Sequence, residues 1–302
     1  MTHAPRRPPL LRAGDRVAVV APAGPVPIGL LTAGVAVLRS WGLDVVVMPH
    51  VLDRHPVLPY LAGTDADRAR DLVDAWCDPD VRAVICGRGG YGAQRVVDLV
   101  DWDAFADVPP KVFTGSSDIT ALHAEFTTRV DVATLFAPMV CTNAFVFDPP
   151  AQERLRRSLF TPSDERVLTS PTAVTLVPGK ARGTTFGGNA TLVGSGFTKP
   201  PPGSIALLED VDEEHYRLDR IFTQLLRSGW FSDVTGIALG SWTNCSDNVH
   251  DVVLDLLGPL GVPIVGGLGF GHCPGQLTMP MGVAVELDAD AATVTVLEGS
   301  WA

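Results

Sequence analysis

The chain has 302 residues, 46 % of them hydrophobic, enough for two domains at about 150 residues each or for one large one. Acidic residues outnumber basic ones by 34 to 23, giving a net charge of −11. That balance repels phosphate backbones and anionic membranes, so nucleic-acid and membrane partners are not expected. Five cysteines, Cys77, Cys86, Cys141, Cys245 and Cys273, are scattered and lie at no metal-ligand spacing. They read as reduced thiols, which fits the cytoplasm; no metal or cofactor is expected. No apolar stretch marks a signal peptide, and no apolar run reaches the roughly 18 residues that span a bilayer.

Strand-like and helix-like segments alternate through the first half. Val17–Val20 is a branched apolar run closed by Pro22-Ala23-Gly24-Pro25, and Leu30–Trp41 has helical spacing that stops at Gly42. Val45–Val47 is the next strand. Thr64 with Asp67 resembles a capping box, and Ala69, Leu72, Val73 and Trp76 then share one helical face, ended before Pro79. Val84–Cys86 follows as a strand, then the loop Gly87-Arg88-Gly89-Gly90-Tyr91-Gly92, then helical spacing at Ala93, Val96, Val97 and Val100. Val112-Phe113 ends in Gly115; Ser116, Ser117 and Asp118 lead into a segment where Ile119, Leu122 and Phe126 share a face. Repeated units of this length predict an α/β fold whose parallel sheet carries helices on both faces.

Asp148–Arg182 holds Pro149, Pro150, Pro162, Pro171 and Pro178 and a more polar composition, and is expected to connect two domains, 1–147 and 183–302. Beyond it, Ser204–Leu208 is a strand ending at Glu209, and Leu218, Ile221, Phe222, Leu225 and Leu226 form an amphipathic stripe stopped by Gly229. Gly236–Leu239, Val262–Val265 and Val283–Leu287 look like further strands.

Strand, glycine turn, serine, helix lifts a hydroxyl onto a sharp corner beside a helix N-terminus. Ser and Asp before a helix are also ordinary caps, so the stretch alone leaves both readings open. A serine nucleophile needs a base, and the base needs a third group to hold its tautomer. His272 follows the glycine-rich Gly266–Gly271 directly after a strand, where a side chain can turn into a cleft. His123 and His250 fall in helical segments, where a solvated histidine is the plain reading. Glu209 closes a buried strand and is either a partnered structural acid or a site residue. Asp210, Asp212, Glu213 and Glu214 read as a solvated acidic cap on the following helix. Arg88 is placed to clamp a substrate carboxylate or to pair with a neighbouring acid. Gly87, Gly89 and Gly92 satisfy G-x-G-x-x-G, but not after the first strand, so a nicotinamide site is a minor alternative.

The chain resembles the LD-carboxypeptidase family of serine peptidases. The matching stretches are Arg88-Gly89-Gly90-Tyr91-Gly92, Gly115–Thr120, Phe136-Ala137-Pro138-Met139, Gly187-Gly188-Asn189, Leu208-Glu209-Asp210 with Tyr216–Arg220, and Gly267–His272, in family order. The resemblance implies a flavodoxin-like N-terminal domain with a parallel sheet and a smaller C-terminal β/α domain. It also implies Ser117 as nucleophile, Glu209 as acid and His272 as base, in a homodimer that uses no cofactor. In the mechanism expected from this, the backbone N–H of Asp118, with that of Gly89 or Gly90, holds the oxyanion. Arg88 and Ser116 face substrate. Ala23, Ser116 and His215 depart from the usual family residues, which bears on substrate preference. The expected activity is hydrolysis of the amide before a terminal D-residue in a murein-type tetrapeptide. The alternatives are cleavage of a peptidyl or aminoacyl nucleotide of the microcin C type, or a non-catalytic peptide-binding homologue.

Overall fold

The computed structural model describes residues 6–162, 166–196 and 198–297. The first half contains β1 (Arg16–Val20), α1 (Ile28–Ser40), β2 (Asp44–Val47), α2 (Asp65–Cys77), β3 (Val81–Cys86), α3 (Ala93–Val97), α4 (Trp102–Asp107), β4 (Val112–Gly115), α5 (Thr120–Glu125) and β5 (Thr134–Phe136). A tight 3-10 turn at Ser117–Ile119 precedes α5, and a wide π turn at Phe126–Val130 follows it. Then come α6 (Asn143–Val146), α7 (Pro149–Phe160), β6 (Val167–Leu168), β7 (Val174–Val177), β8 (Lys180–Asn189), α8 (Ala190–Ser195), β9 (Ser204–Val211) and α9 (His215–Arg227). The chain continues through β10 (Val234–Thr243), α10 (Val249–Leu256), β11 (Ile264–Gly266), β12 (Met279–Met281), β13 (Ala284–Asp288) and β14 (Thr293–Val296).

The first sheet runs β12-β5-β4-β3-β1-β2. Its five leading strands are parallel in the order 2-1-3-4-5, the flavodoxin-like winding. Alternation along β1 explains why it is apolar from Val17 to Val20. Val17 and Val19 pack with Leu31, Val35 and Leu38 of α1 and Leu155 of α7; Ala18 and Val20 pack with Leu72 and Trp76 of α2. A parallel strand covered on both faces has no side left for polar residues.

The second sheet runs β6-β14-β13-β8-β9-β10-β11-β7, with β8 to β11 parallel and the flanking strands antiparallel. Ile205, Leu207 and Ala238 on one face join the core that also covers the first sheet. Ala206, Leu208 and Leu239 on the other lie under Leu218, Phe222 and Leu225 of α9. β12 belongs to the first sheet, antiparallel to β5, although it comes late in the chain.

The Asp148–Arg182 stretch differs from the expected connection: it holds α7 and two strands of the second sheet. Pro149 and Pro150 start α7, where a missing N–H costs nothing, and the Asp148 side chain accepts from Ala151 N at 3.1 Å as its cap. Thr64 caps α2 as its sequence predicts, accepting from Asp67 N at 3.2 Å.

Behind the second serine lies an aromatic core. Phe126 meets Phe113 at 4.4 Å, Trp76 at 4.7 Å and Trp102 at 5.6 Å between ring centroids. Its ring is fully buried. Truncation leaves a cavity that this rigid cluster fills poorly, so Phe126→Ala is expected to lose about 3–5 kcal/mol. A urea unfolding midpoint within error of the parent would contradict this packing.

Candidate active site

Gly115 ends β4 and the chain turns sharply. Ser117 sits at φ 57°, in the left-handed region that a non-glycine residue occupies at a cost of about 1–3 kcal/mol. Ser116 and Asp118 on either side are buried, while Ser117 keeps partial exposure. The corner is braced from beneath. The Gly115 carbonyl accepts from Ala137 N at 3.0 Å and from His123 Nε2 at 2.9 Å, while His123 Nδ1 faces Thr134 Oγ1 at 2.7 Å. His123 is therefore a buried neutral brace, not the solvated histidine its helical position suggested. Burial pushes its pKa down to about 4, opposed by the bond to the Gly115 carbonyl.

The loop after β3 lies against the serine. A Cβ at Gly89 would stand 3.1 Å from Ser117 Cβ, 3.3 Å from its Oγ and 3.0 Å from Met139 Cε, so a side chain there would crowd the hydroxyl. Gly24 N donates to the Gly89 carbonyl at 2.9 Å, joining the loops that follow β1 and β3. These loops diverge where the strand order reverses, the crevice in which such sheets bind ligands. Gly90 follows with its backbone exposed. Arg88 Nη1 donates to the Pro25 carbonyl at 2.7 Å, a partner neither sequence reading anticipated.

Glu209 lies within β9, one residue beyond the expected strand end, and is wholly buried. Its Oε2 meets His272 Nδ1 at 2.8 Å and accepts from the His272 backbone N at 3.3 Å, and Asn189 Nδ2 reaches Oε1 at 3.4 Å. A Cβ at Gly271 would overlap the carboxylate, so the loop after β11 approaches this closely only because that residue is glycine at φ 96°. With Nδ1–H given to Glu209, His272 presents Nε2 as its free basic nitrogen. Desolvation lowers the imidazole pKa, but the Glu209 bond and charge, with Asp210 and Asp212 behind it, outweigh it and leave a net rise.

Asp210 is no solvated cap: it is 2 % exposed, and its carboxylate accepts from Asn189 Nδ2 at 2.8 Å and from Thr191 N at 2.9 Å. Asn189 thus bridges both acids and, by accepting from Leu192 N at 3.2 Å, caps α8. Sequence reasoning gives it no role; it stands only as the last residue of the family-like stretch Gly187-Gly188-Asn189. Thr120 Oγ1 accepts from Asn189 N at 2.9 Å, tying the helix after the elbow to the acid-bearing sheet. Asp148 makes a second tie, accepting from Gly275 N at 2.6 Å.

Ser116 and His272 line one cavity of about 410 Å³, with Met139, Phe147, Cys273 and Gln276 among its other walls. The structure therefore brings Ser116, Ser117, Asp118 and Gly89 together at the elbow, joins Glu209 to His272, and sets the imidazole on a wall shared with the elbow. Another cavity, of about 270 Å³, lies behind α5 between Gln94, Glu125 and Phe186 and borders none of these groups.

The two histidines titrate on opposite sides of an ordinary imidazole at 6.5. A proton-detected NMR titration is expected to show His272 losing its proton above 6.5 and His123 neutral down to about 4. The unfolded chain protonates position 123 near 6.5 while the folded chain resists to about 4, so His123 makes stability fall as pH drops through that window. An inverted order would contradict both environments.

Residues 17–137 match the model of the LD-carboxypeptidase N-terminal domain, and residues 182–287 match that of its C-terminal domain. A Streptomyces coelicolor protein, provisionally named a carboxypeptidase, is 54 % identical over 96 % of this chain and 96 % of its own. The murein tetrapeptide carboxypeptidase of Pseudomonas aeruginosa is 30 % identical over 91 % of this chain and 94 % of its own. The solved structure of the microcin immunity protein MccF with glutamyl sulfamoyl guanosine superposes with a TM-score of 0.88 at 20 % identity. That match covers 99 % of this chain and 100 % of that one, and shows a shared fold. The chain belongs to the LD-carboxypeptidase family and is a hydrolase of the serine peptidase class.

Proposed function

We propose that this enzyme removes a terminal D-residue from murein-type tetrapeptides, with Ser117 as nucleophile, His272 as base and Glu209 as the acid that orients it. The observation that carries this reading is the 2.8 Å contact between His272 Nδ1 and the buried Glu209 carboxylate, on a cavity bordered by the strained serine corner. Buried carboxylate, oriented imidazole and hydroxyl on a corner together make acyl transfer possible at neutral pH.

His272 Nε2 takes the Ser117 proton as Oγ attacks the peptide carbonyl. Glu209 stabilises the imidazolium without accepting its proton. The tetrahedral oxyanion is held by the Asp118 N–H, one of the free donors at a helix start. Because the Gly89 carbonyl turns to Gly24, the N–H on the same planar peptide, that of Gly90, turns the opposite way and is the favoured second donor. His272 then protonates the leaving amine, and water releases the acyl group. Arg88 and Ser116 face the substrate from the loop and the elbow.

The identity to the Pseudomonas murein tetrapeptide carboxypeptidase supports the murein substrate. The second reading, an aminoacyl nucleotide amidase, is favoured by the close superposition on MccF bound to glutamyl sulfamoyl guanosine. Incubation with murein tetrapeptide is expected to release D-alanine, and with glutamyl sulfamoyl adenosine no glutamate. The reverse outcome would select the nucleotide reading. Ser117→Ala and His272→Ala are each expected to lower kcat by about 10⁴-fold or more while the circular dichroism spectrum is kept. Full turnover by Ser117→Ala would end the proposal.

A further inference from the structure

The side chain of Asp118 points away from the reacting corner. It is 1 % exposed, and its Oδ2 accepts from Ala93 N at 2.6 Å. The carbonyl on that same peptide unit, that of Gly92, accepts from Arg68 Nη1 at 2.9 Å. A single peptide group, the one ending the Gly87–Gly92 loop, is therefore gripped at its N–H by a buried anion and at its carbonyl by a buried cation. Arg68 is 2 % exposed and is held in turn by Asp65 and the Pro22 carbonyl. Gly92 is part of the grip: a Cβ there would collide with Arg68 Nη1 and with Leu61. Bonds to charged partners inside a protein are short and directional, so this clamp fixes the peptide plane more firmly than a neutral turn would.

The placement joins two parts of the site. Asp118 follows the serine directly, and the gripped peptide lies three residues after Gly89, whose Cα faces Ser117. We infer that Asp118 and Arg68 are positioning residues: by clamping the Gly92–Ala93 peptide from both ends, they hold the Gly89–Gly90 backbone in register with the Ser117 corner. The clamp accounts for an acid directly after the serine in a way that helix capping does not, because its carboxylate is spent on another element. The consequence for catalysis rests on the proposed role of Ser117 and of the glycine-loop N–H.

The test uses the full-length enzyme and three variants. Asp118→Asn keeps the shape and one acceptor oxygen but removes the charge, Asp118→Ala removes both, and Arg68→Gln releases the other end. Phosphonylation of Ser117 by a fluorophosphonate builds the same developing oxyanion without needing the physiological substrate. Loss of one oxyanion donor costs about 10²–10³-fold. Asp118→Ala is expected to slow phosphonylation, and kcat on tetrapeptide, by about 10²-fold with KM changed less than about threefold, and Asp118→Asn is expected to fall between it and the parent. Hydrogen exchange is expected to accelerate about tenfold or more in each variant at the Gly24 amide, whose acceptor is the Gly89 carbonyl of the glycine loop. Parental phosphonylation rates in Asp118→Ala would overturn the inference, as would a KM rise with kcat unchanged. If Asp118→Ala does not fold, Arg68→Gln is read by the same two measurements. If the parent itself is not phosphonylated, the role of Ser117 fails separately, and unchanged exchange at the Gly24 amide then overturns the clamp on its own.

Discussion

A carboxylate with no exposure to water constrains the rest of this molecule. Glu209 stands in β9, an inner strand of the parallel part of the second sheet, where an unpartnered charge would cost several kcal/mol. Its partners come from elsewhere in the chain: the His272 ring and backbone from the loop after β11, and Asn189 from the end of β8. Those contacts dictate a glycine at position 271, a loop drawn onto the sheet, and one tautomer of the imidazole. The carboxylate thus fixes the imidazole in place and leaves Nε2 as the nitrogen not engaged by it.

The serine corner is made independently, by the other sheet. Ser117 follows β4, Glu209 lies near the end of β9, and His272 follows β11, all toward the carboxyl ends of parallel strands, where such folds leave a crevice. The two sheets share a core and are stitched near the crevice by Thr120 with Asn189 and by Asp148 with Gly275. β12 adds a strand from the far end of the chain to the serine-bearing sheet. Pre-built geometry of this kind matters because donors aimed at a developing charge act without reorganising during the reaction.

Much of this was legible in the residues where local pattern and tertiary demand agree. Val17–Val20 reads as a buried strand because both its faces are covered, and the stripe of Leu218, Phe222 and Leu225 reads as a helix because only one of its faces is. Thr64 and Asp67 cap a helix locally, so their signal needs no distant partner. The illegible parts depend on residues far apart in sequence. β5 and β12, three residues each, are strands because of distant pairing, β5 with β4 and β12 with β5. Asp210 looked like a solvated cap because its partners, Asn189 and Thr191, lie some twenty positions upstream. His123 looked exposed because helical spacing alone does not reveal that Phe113 and Phe136 pack around it. At the site, Glu209 and His272 drew notice by residue type and context, while Ser117 was set apart from Ser116 only by the family resemblance. The left-handed backbone at Ser117, the turn of Arg88 to Pro25 and the clamp on the Gly92–Ala93 peptide are facts of packing that no local motif carries.

The most direct test is a crystal structure of the enzyme after reaction with a fluorophosphonate. The account predicts a covalent bond at Ser117 Oγ, with His272 Nε2 within about 3 Å of the adduct and its phosphoryl oxygen facing the Asp118 and Gly90 N–H groups. An adduct on another residue, or an imidazole that stays out of reach of the modified serine, would contradict it.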